Sequence, residues 1–460
     1  MTTTSHIVLV PGFGGFDALG QLEYYTGTTE QFYEWRHPEQ RAQAEDRPHA
    51  APLEARQGAT LHYFANSPTA GVATRAALLK QFLAKKLARN EIQEGDRVAL
   101  VGHSTGGLDI RQLLLSLDRE AAPSKVDGSQ KTQRSVPGQR LLDHIDRVVF
   151  MSVPQRGTNI ADWFDHYELP THLAIRVARS IIKNEHLPSD TPPVLLPIVR
   201  LLASAVRKAT GPISDVSHAV LDVQREIEIK DDDSALSKEY ARQARSDVGL
   251  FFDDIDGDFL AIKDLAARAE SHDPPRLVDA GFEMERALWT REGIETLSFA
   301  TVAKCPFDTA RMKDSRKIAS LLRVVRAILH RSQTTDPIFR LVYALCAEGP
   351  FLDKFSTLPA PLSAIELATG SPRSVHAWDN DGIANTASML WPGGKNTLLV
   401  DGDHGDIIGH FELQKAPAPS EPGLRQGRVY SSYDFFASDS SFAQKDFAAV
   451  WQRVFDFCVS

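Results

Sequence analysis

The chain has 460 residues, 42% of them hydrophobic and 24% charged, with a formal net charge of −9. That length suits one large core carrying an insertion, or two domains. The acidic balance argues against a nucleic-acid partner, whose phosphates need a surplus of Lys and Arg on one face.

In chain order, Met1 to His6 precede a short apolar run, Ile7–Val10, that reads as a first strand. This start lacks a basic region, a long apolar stretch and a small-residue cleavage site, so a cytoplasmic protein without a signal peptide is expected. Leu61–Phe64, Arg97–Val101 and Arg147–Met151 read as further strands, with helices at about 68–89 and 108–117 between them. Strands alternating with helices predict an α/β fold with an open, mostly parallel sheet.

From about 158 to 293 that rhythm gives way to helical periodicity, with Leu173, Val177 and Ile181 on one face and Ile198, Leu202 and Ala205 on another. Strand character returns at Ile294–Val302. An amphipathic helix (Ile318, Leu321, Leu322, Val325, Leu329), a loop-rich stretch to about Ser374, a strand at Thr397–Val400 and a C-terminal helix ending near Cys458 complete the chain. The expected organisation is one catalytic domain made of 1–157 and 294–460, the second part including a helical excursion at about 303–374. Residues 158–293 form its helical insertion. The cysteines at 305, 346 and 458 form no C-x-x-C pair, so free buried thiols are expected rather than a zinc or redox site.

Gly102-His103-Ser104-Thr105-Gly106-Gly107 directly follows one expected strand and opens an apolar helix. A serine hydroxyl is a weak nucleophile that needs exposure and a base, and a sharp strand-to-helix turn supplies the exposure. Ser104 is therefore the candidate nucleophile, and the Thr105 N–H, at the helix start, is a candidate oxyanion donor. His103 reads as structural. The acid and base of such a site follow the serine in the order Asp or Glu, then His. Asp381 and His404 fit that order, with Asp379 and Asp401 as rival acids and His376 and His410 as rival bases.

Val8-Leu9-Val10-Pro11-Gly12-Phe13-Gly14-Gly15 resembles the oxyanion loop of lipases and esterases, with Pro11 where those enzymes usually carry histidine. The resemblance implies that the Phe13 N–H is the second oxyanion donor. Further motifs extend the likeness: Asn380-Asp381-Gly382-Ile383-Ala384-Asn385-Thr386, Ser298-Phe299-Ala300-Thr301, Val153-Pro154-Gln155-Arg156-Gly157-Thr158 and His404-Gly405-Asp406-Ile407-Ile408-Gly409. Together these resemble the bacterial true lipases (triacylglycerol lipases) of the α/β-hydrolase class. That family implies an α/β-hydrolase fold, carboxylic-ester hydrolysis by Ser104, Asp381 and His404 through an acyl-enzyme, and a helical lid. It also implies transient contact with a lipid surface and, in many members, a calcium ion near the histidine. Asp406 matches the acidic calcium position, whereas a solvated or helix-capping role suits it without metal. No cofactor is required by the triad itself.

The apolar stretch 194–206 is the candidate lid face, although the same stripe suits ordinary core. The acidic run 226–233 reads as a solvated helix end. Two other functions share these features: an acyltransferase or intracellular polyester depolymerase with the same triad, and a non-catalytic binding protein that keeps the fold.

Overall fold

The computed structural model describes residues 3–13, 18–19, 22–37, 53–67, 70–121, 137–161, 264–265, 285, 288–290, 292–306, 337–347, 363–364, 374–391, 396–411, 434, 436 and 438–460. Their strands are β1 (Ser5–Val10), the short antiparallel pair β2 (Ala18–Leu19) and β3 (Leu22–Glu23), β4 (Ala59–Tyr63), β5 (Arg97–His103), β6 (Ile145–Met151), β7 (Glu295–Val302), β8 (Ser363–Ala364) and β9 (Thr397–Asp401). The helices are α1 (Thr28–Arg36), α2 (Leu53–Gln57), α3 (Val72–Ala88), α4 (Thr105–Ala121), α5 (Pro137–Leu142), α6 (Pro337–Ala347) and α7 (Gln444–Val459).

Apart from β2 and β3, these strands make one parallel sheet in the order β4-β1-β5-β6-β7-β9-β8. A parallel sheet covered on both faces needs strands that are apolar throughout, and every residue of β1 is buried. Successive side chains then serve opposite faces. Val8, Val10, Leu100, Val148 and Phe150 face a cluster completed by Leu79 and Leu83 of α3 and Leu113 and Leu117 of α4. Ile7, Leu9, Val101, Val149 and Phe299 face the other cluster, with Phe32 and Trp35 of α1 and Phe447, Trp451 and Phe455 of α7. The α7 residues recur at intervals of four, the spacing that puts them on one helical face.

Register aligns the carboxyl ends of the strands. Val10 pairs with Gly102, His103 with Met151, Met151 with Phe299, and Val302 with Asp401. The loops after β1, β5, β7 and β9 therefore gather at one end of the sheet, where open α/β sheets present their sites.

Every strand expected from the sequence is present to within two residues at each end. The loop-rich expectation before Ser374 is corrected at 337–347, where α6 begins with Pro337 at its first position. Proline suits that position because its missing N–H would lack an intrahelical partner and its φ is already helical. The expected helix at 318–329, the apolar stretch 194–206, the acidic run 226–233 and most of the insertion lie outside the described residues. Cys346 and Cys458 are free, buried thiols, and Cys305 is half-buried. Among the described residues no helix is long and apolar enough to cross a membrane.

Candidate active site

Ser104 sits between the end of β5 and the start of α4 with φ 53°, a left-handed conformation that a non-glycine residue adopts at a cost of about 1–3 kcal/mol. Close packing holds it there. The Ser104 N–H donates to Met151 O (2.9 Å) and the Gly107 N–H donates to Ser104 O (3.1 Å). A Cβ on Gly106 would lie 2.3 Å from Val10 O, so only glycine lets the end of β1 approach the turn. Thr105 is the first residue of α4 and is fully buried, and its Oγ1 has no partner among the described residues.

Asp381 and His404 come together. His404 Nδ1 lies 2.7 Å from Asp381 Oδ2, and the His404 N–H donates to Asp381 O (3.0 Å). A carboxylate cannot donate, so the imidazole carries its proton on Nδ1 and turns Nε2 away from Asp381. The Asp381 carboxylate has no exposed surface and takes three further donors: the Ile383 and Ala384 N–H groups at Oδ1 (3.0 and 2.8 Å) and Thr301 Oγ1 at Oδ2 (2.6 Å). Ser152 Oγ lies 2.8 Å from Thr301 Oγ1. Thr301 has one hydroxyl proton; when it goes to the carboxylate, the Ser152 hydroxyl donates to Thr301 in turn. Ser152 itself has φ 51° and donates its N–H to Phe299 O (2.9 Å).

Among the described residues no hydrogen bond joins the Ser104 hydroxyl to His404. The two are linked instead through His103, whose ring centroid lies 4.7 Å from that of His404 and whose Nε2 donates to His404 O (3.0 Å). His103, which the sequence suggested was structural, makes these contacts from a buried position. Its Nδ1 lies 2.8 Å from Tyr24 Oη, which also accepts the Gly12 N–H (2.8 Å). Burial, with His404 and His410 close by, holds the His103 imidazole well below the usual histidine range. Burial likewise raises the Tyr24 phenol.

The loop that carries Phe13 is clamped at three successive residues. Tyr25 Oη donates to Val10 O (2.7 Å), Arg75 Nη2 donates to Pro11 O (3.0 Å), and Gly12 N–H meets Tyr24. Arg75 is wholly buried and paired with the equally buried Asp109 of α4 (2.8 Å), which also accepts from Asn66 Nδ2 (3.1 Å). Tyr24, Arg75, Ser152 and Thr301 were not singled out in the sequence as site residues. Each acts across a long chain separation, and Thr301 alone lies in one of the motifs quoted above.

The rival residues are occupied or displaced. Asp379 Oδ2 accepts the His376 N–H (2.8 Å), Asp401 is exposed, His376 is exposed and stacks on Trp378, and His410 Nε2 is bonded to Tyr24 O (3.1 Å). Asp406 is buried, not solvated. Its Oδ2 accepts the Asp403 N–H and the Ser440 hydroxyl (2.8 Å each), while Asp403 accepts the Gly405 and Asp406 N–H groups (2.8 and 3.2 Å) and the Ser438 hydroxyl (2.6 Å). These two carboxylates brace the turn on either side of His404. Burial raises both, Asp403 to about 7. Among the described residues no three His, Cys, Asp or Glu side chains converge as metal ligands, and both oxygens of Asp403 and Oδ2 of Asp406 already accept protein donors.

A parallel sheet in this order, with a strand–serine–helix turn at its carboxyl end, is the α/β-hydrolase fold. No protein-family model and no curated protein matches the sequence. Among solved structures, a metagenomic carboxyl esterase, MGS0156, is 16% identical over 100% of this chain and 76% of its own, with TM-score 0.34. Lipase 1 from Pelosinus fermentans is 16% identical over 89% of this chain and 94% of its own, with TM-score 0.36. The mature lipase BlEst2 from Bacillus licheniformis is 11% identical over 89% and 88%, with TM-score 0.35. Likeness at this level says nothing of the chemistry, which has to be argued from the side chains.

Proposed function

We infer that the protein is a carboxylic-ester hydrolase working through an acyl-enzyme on Ser104. The observation that carries this reading is the bond from His404 Nδ1 to a buried Asp381 braced by Thr301, at the sheet end where the Ser104 turn also lies. With its proton on Nδ1, the imidazole has a lone pair on Nε2, the state a general base requires. His404 takes the Ser104 proton as the hydroxyl oxygen attacks the ester carbonyl. Asp381 stabilises the imidazolium that forms, and the N–H groups of Phe13 and Thr105 receive the oxyanion. The imidazolium then protonates the departing alcohol. Water, activated by the same histidine, releases the acid and regenerates Ser104.

The test is hydrolysis of p-nitrophenyl esters from acetyl to palmitoyl by wild type and Ser104→Ala, with fluorophosphonate labelling of Ser104. Loss of at least about a thousandfold in turnover and loss of labelling in the variant are expected. A peak at long acyl chains identifies a lipase, and a peak at short chains an esterase. Equal rates in the two proteins would remove Ser104 from the mechanism.

A further inference from the structure

We propose that Tyr24 and His103 form a positioning relay that sets the oxyanion loop against the loop of the general base. Its members are the Gly12 N–H, Tyr24 Oη, the His103 imidazole and the His404 carbonyl, joined by contacts of 2.8, 2.8 and 3.0 Å. The proposal rests on the ester-hydrolase reading above.

With a neutral His103, only one arrangement of protons satisfies all three contacts. The His404 carbonyl can only accept, so His103 carries its proton on Nε2. A neutral His103 then offers a lone pair at Nδ1, which takes the Tyr24 hydroxyl proton, and the Tyr24 oxygen is left to accept the Gly12 N–H. A second His103 proton would turn Nδ1 into a donor and reverse the contact with Tyr24, whose own hydroxyl proton would then need another acceptor. The titratable side chains next to His103 include Tyr24, Tyr25, His404 and His410, and none of these supplies the negative charge that would favour a second proton on the ring.

Gly12 directly precedes Phe13, and a Cβ at Gly12 would stand 2.6 Å from Ser104 Cβ and 2.8 Å from Tyr24 Oη. The phenol oxygen therefore lies beside the nucleophile without needing to bond it. Val10 and Pro11 are fixed through their carbonyls by Tyr25 and Arg75. Those clamps tie the loop to the turn between β3 and α1, which carries Tyr25, and to α3. The relay differs because it runs to the His404 backbone, linking the proposed site of charge development to the base that creates it. A change in that spacing weakens transition-state binding more than substrate binding, so it is read in kcat rather than KM.

The experiment uses the full chain as wild type, Tyr24→Phe and Ser104→Ala. Ester hydrolysis gives kcat and KM, and side-chain ¹⁵N NMR of the histidines gives the His103 protonation state without turnover. His103 is expected to be neutral, protonated on Nε2, and to stay so below the pH at which an ordinary histidine gains its second proton. Tyr24→Phe is expected to lower kcat by about tenfold to a hundredfold with KM changed by less than about twofold, and to shift the His103 Nδ1 signal. A folded Tyr24→Phe protein with kcat and Nδ1 signal unchanged overturns the relay, as does a His103 protonated on Nδ1. If Tyr24→Phe does not fold, His103→Gln, which keeps one acceptor and one donor, is compared with His103→Phe. Higher kcat in the glutamine variant supports the relay, and equal kcat overturns it. Turnover surviving in Ser104→Ala overturns the hydrolase reading alone, and the NMR result then decides the relay.

Discussion

A carboxylate without exposed surface needs donors in place of the water it has lost, and Asp381 has four: two backbone N–H groups, Thr301 and His404. The two ends of the side chain do different work. Oδ1 is held by its own turn, through Ile383 and Ala384, which fixes the orientation of the group. Oδ2 faces outward to Thr301 and the imidazole. Asp381→Asn would present an amide to His404 and favour the wrong tautomer, so kcat should fall by about 10⁴-fold with the protein still folded, measured by ester hydrolysis beside thermal unfolding. Thr301→Val removes one donor to Oδ2 and should lower kcat about tenfold, the equivalent of a hydrogen bond to a charged group. A Thr301→Val protein with full turnover would show that Asp381 is held without it. Ser104, Asp381 and His404 were each legible because a short local motif surrounds them. Thr301 was visible only as part of a strand motif, since nothing in its neighbours reveals that its hydroxyl reaches position 381.

Among the elements, α3 and α4 show how a fold holds a loop that neither helix contains. Arg75 of α3 binds Asp109 of α4 and, through the same guanidinium, the carbonyl of Pro11. Both side chains are fully buried, so each depends on the other to replace solvation. Arg75→Met should destabilise the protein by about 3–5 kcal/mol, because it leaves Asp109 with Asn66 as its remaining described donor. Combining Arg75→Met with Asp109→Leu should recover most of that loss in urea unfolding while leaving Pro11 unheld. Turnover should therefore stay low in the double variant although stability returns. Recovery of both would show that the pair serves only stability. The positions of these helices were readable from apolar periodicity. Their buried polar pair was not, because an Arg and an Asp 34 residues apart look like ordinary solvated charges until the helices pack.

The molecule as a whole carries shifted ionisable groups in the loop after β9 and on the edge strand β4, and their effects on stability oppose one another. Asp403 is raised by burial to about 7 and Asp406 is raised as well, from an ordinary aspartate value of 3.8. Across that window the unfolded chain has given up protons that the folded one keeps, so this pair's contribution to stability is complete at low pH and falls as pH rises toward 7. His62 is lowered to about 4 from 6.5, chiefly by burial and then by Lys86 and His6. Its contribution is complete above about pH 6.5 and is lost as pH falls toward 4. Asp406→Asn should therefore reduce the decline in stability between about pH 5 and pH 7, measured as urea midpoints, relative to wild type. The same decline in both proteins would exclude the pair as its source.

The sequence by itself determined six of the seven strands of the sheet, the helices α3, α4 and α7, and the three residues of the proposed triad. Apolar periodicity and the turn chemistry around Ser104 and Asp381 depend on residues only a few positions apart. Only the tertiary structure decided what holds them: Tyr24 against His103, Thr301 against Asp381, Arg75 against Pro11, and two aspartates braced around His404. Most of these partners are tens of residues apart, and even the short-range Asp403–Asp406 brace acquires its burial from the surrounding fold. A hydroxyl, a guanidinium or a carboxylate has no defined partner in the extended chain. It acquires one when burial removes water and the sheet register brings the strand ends together.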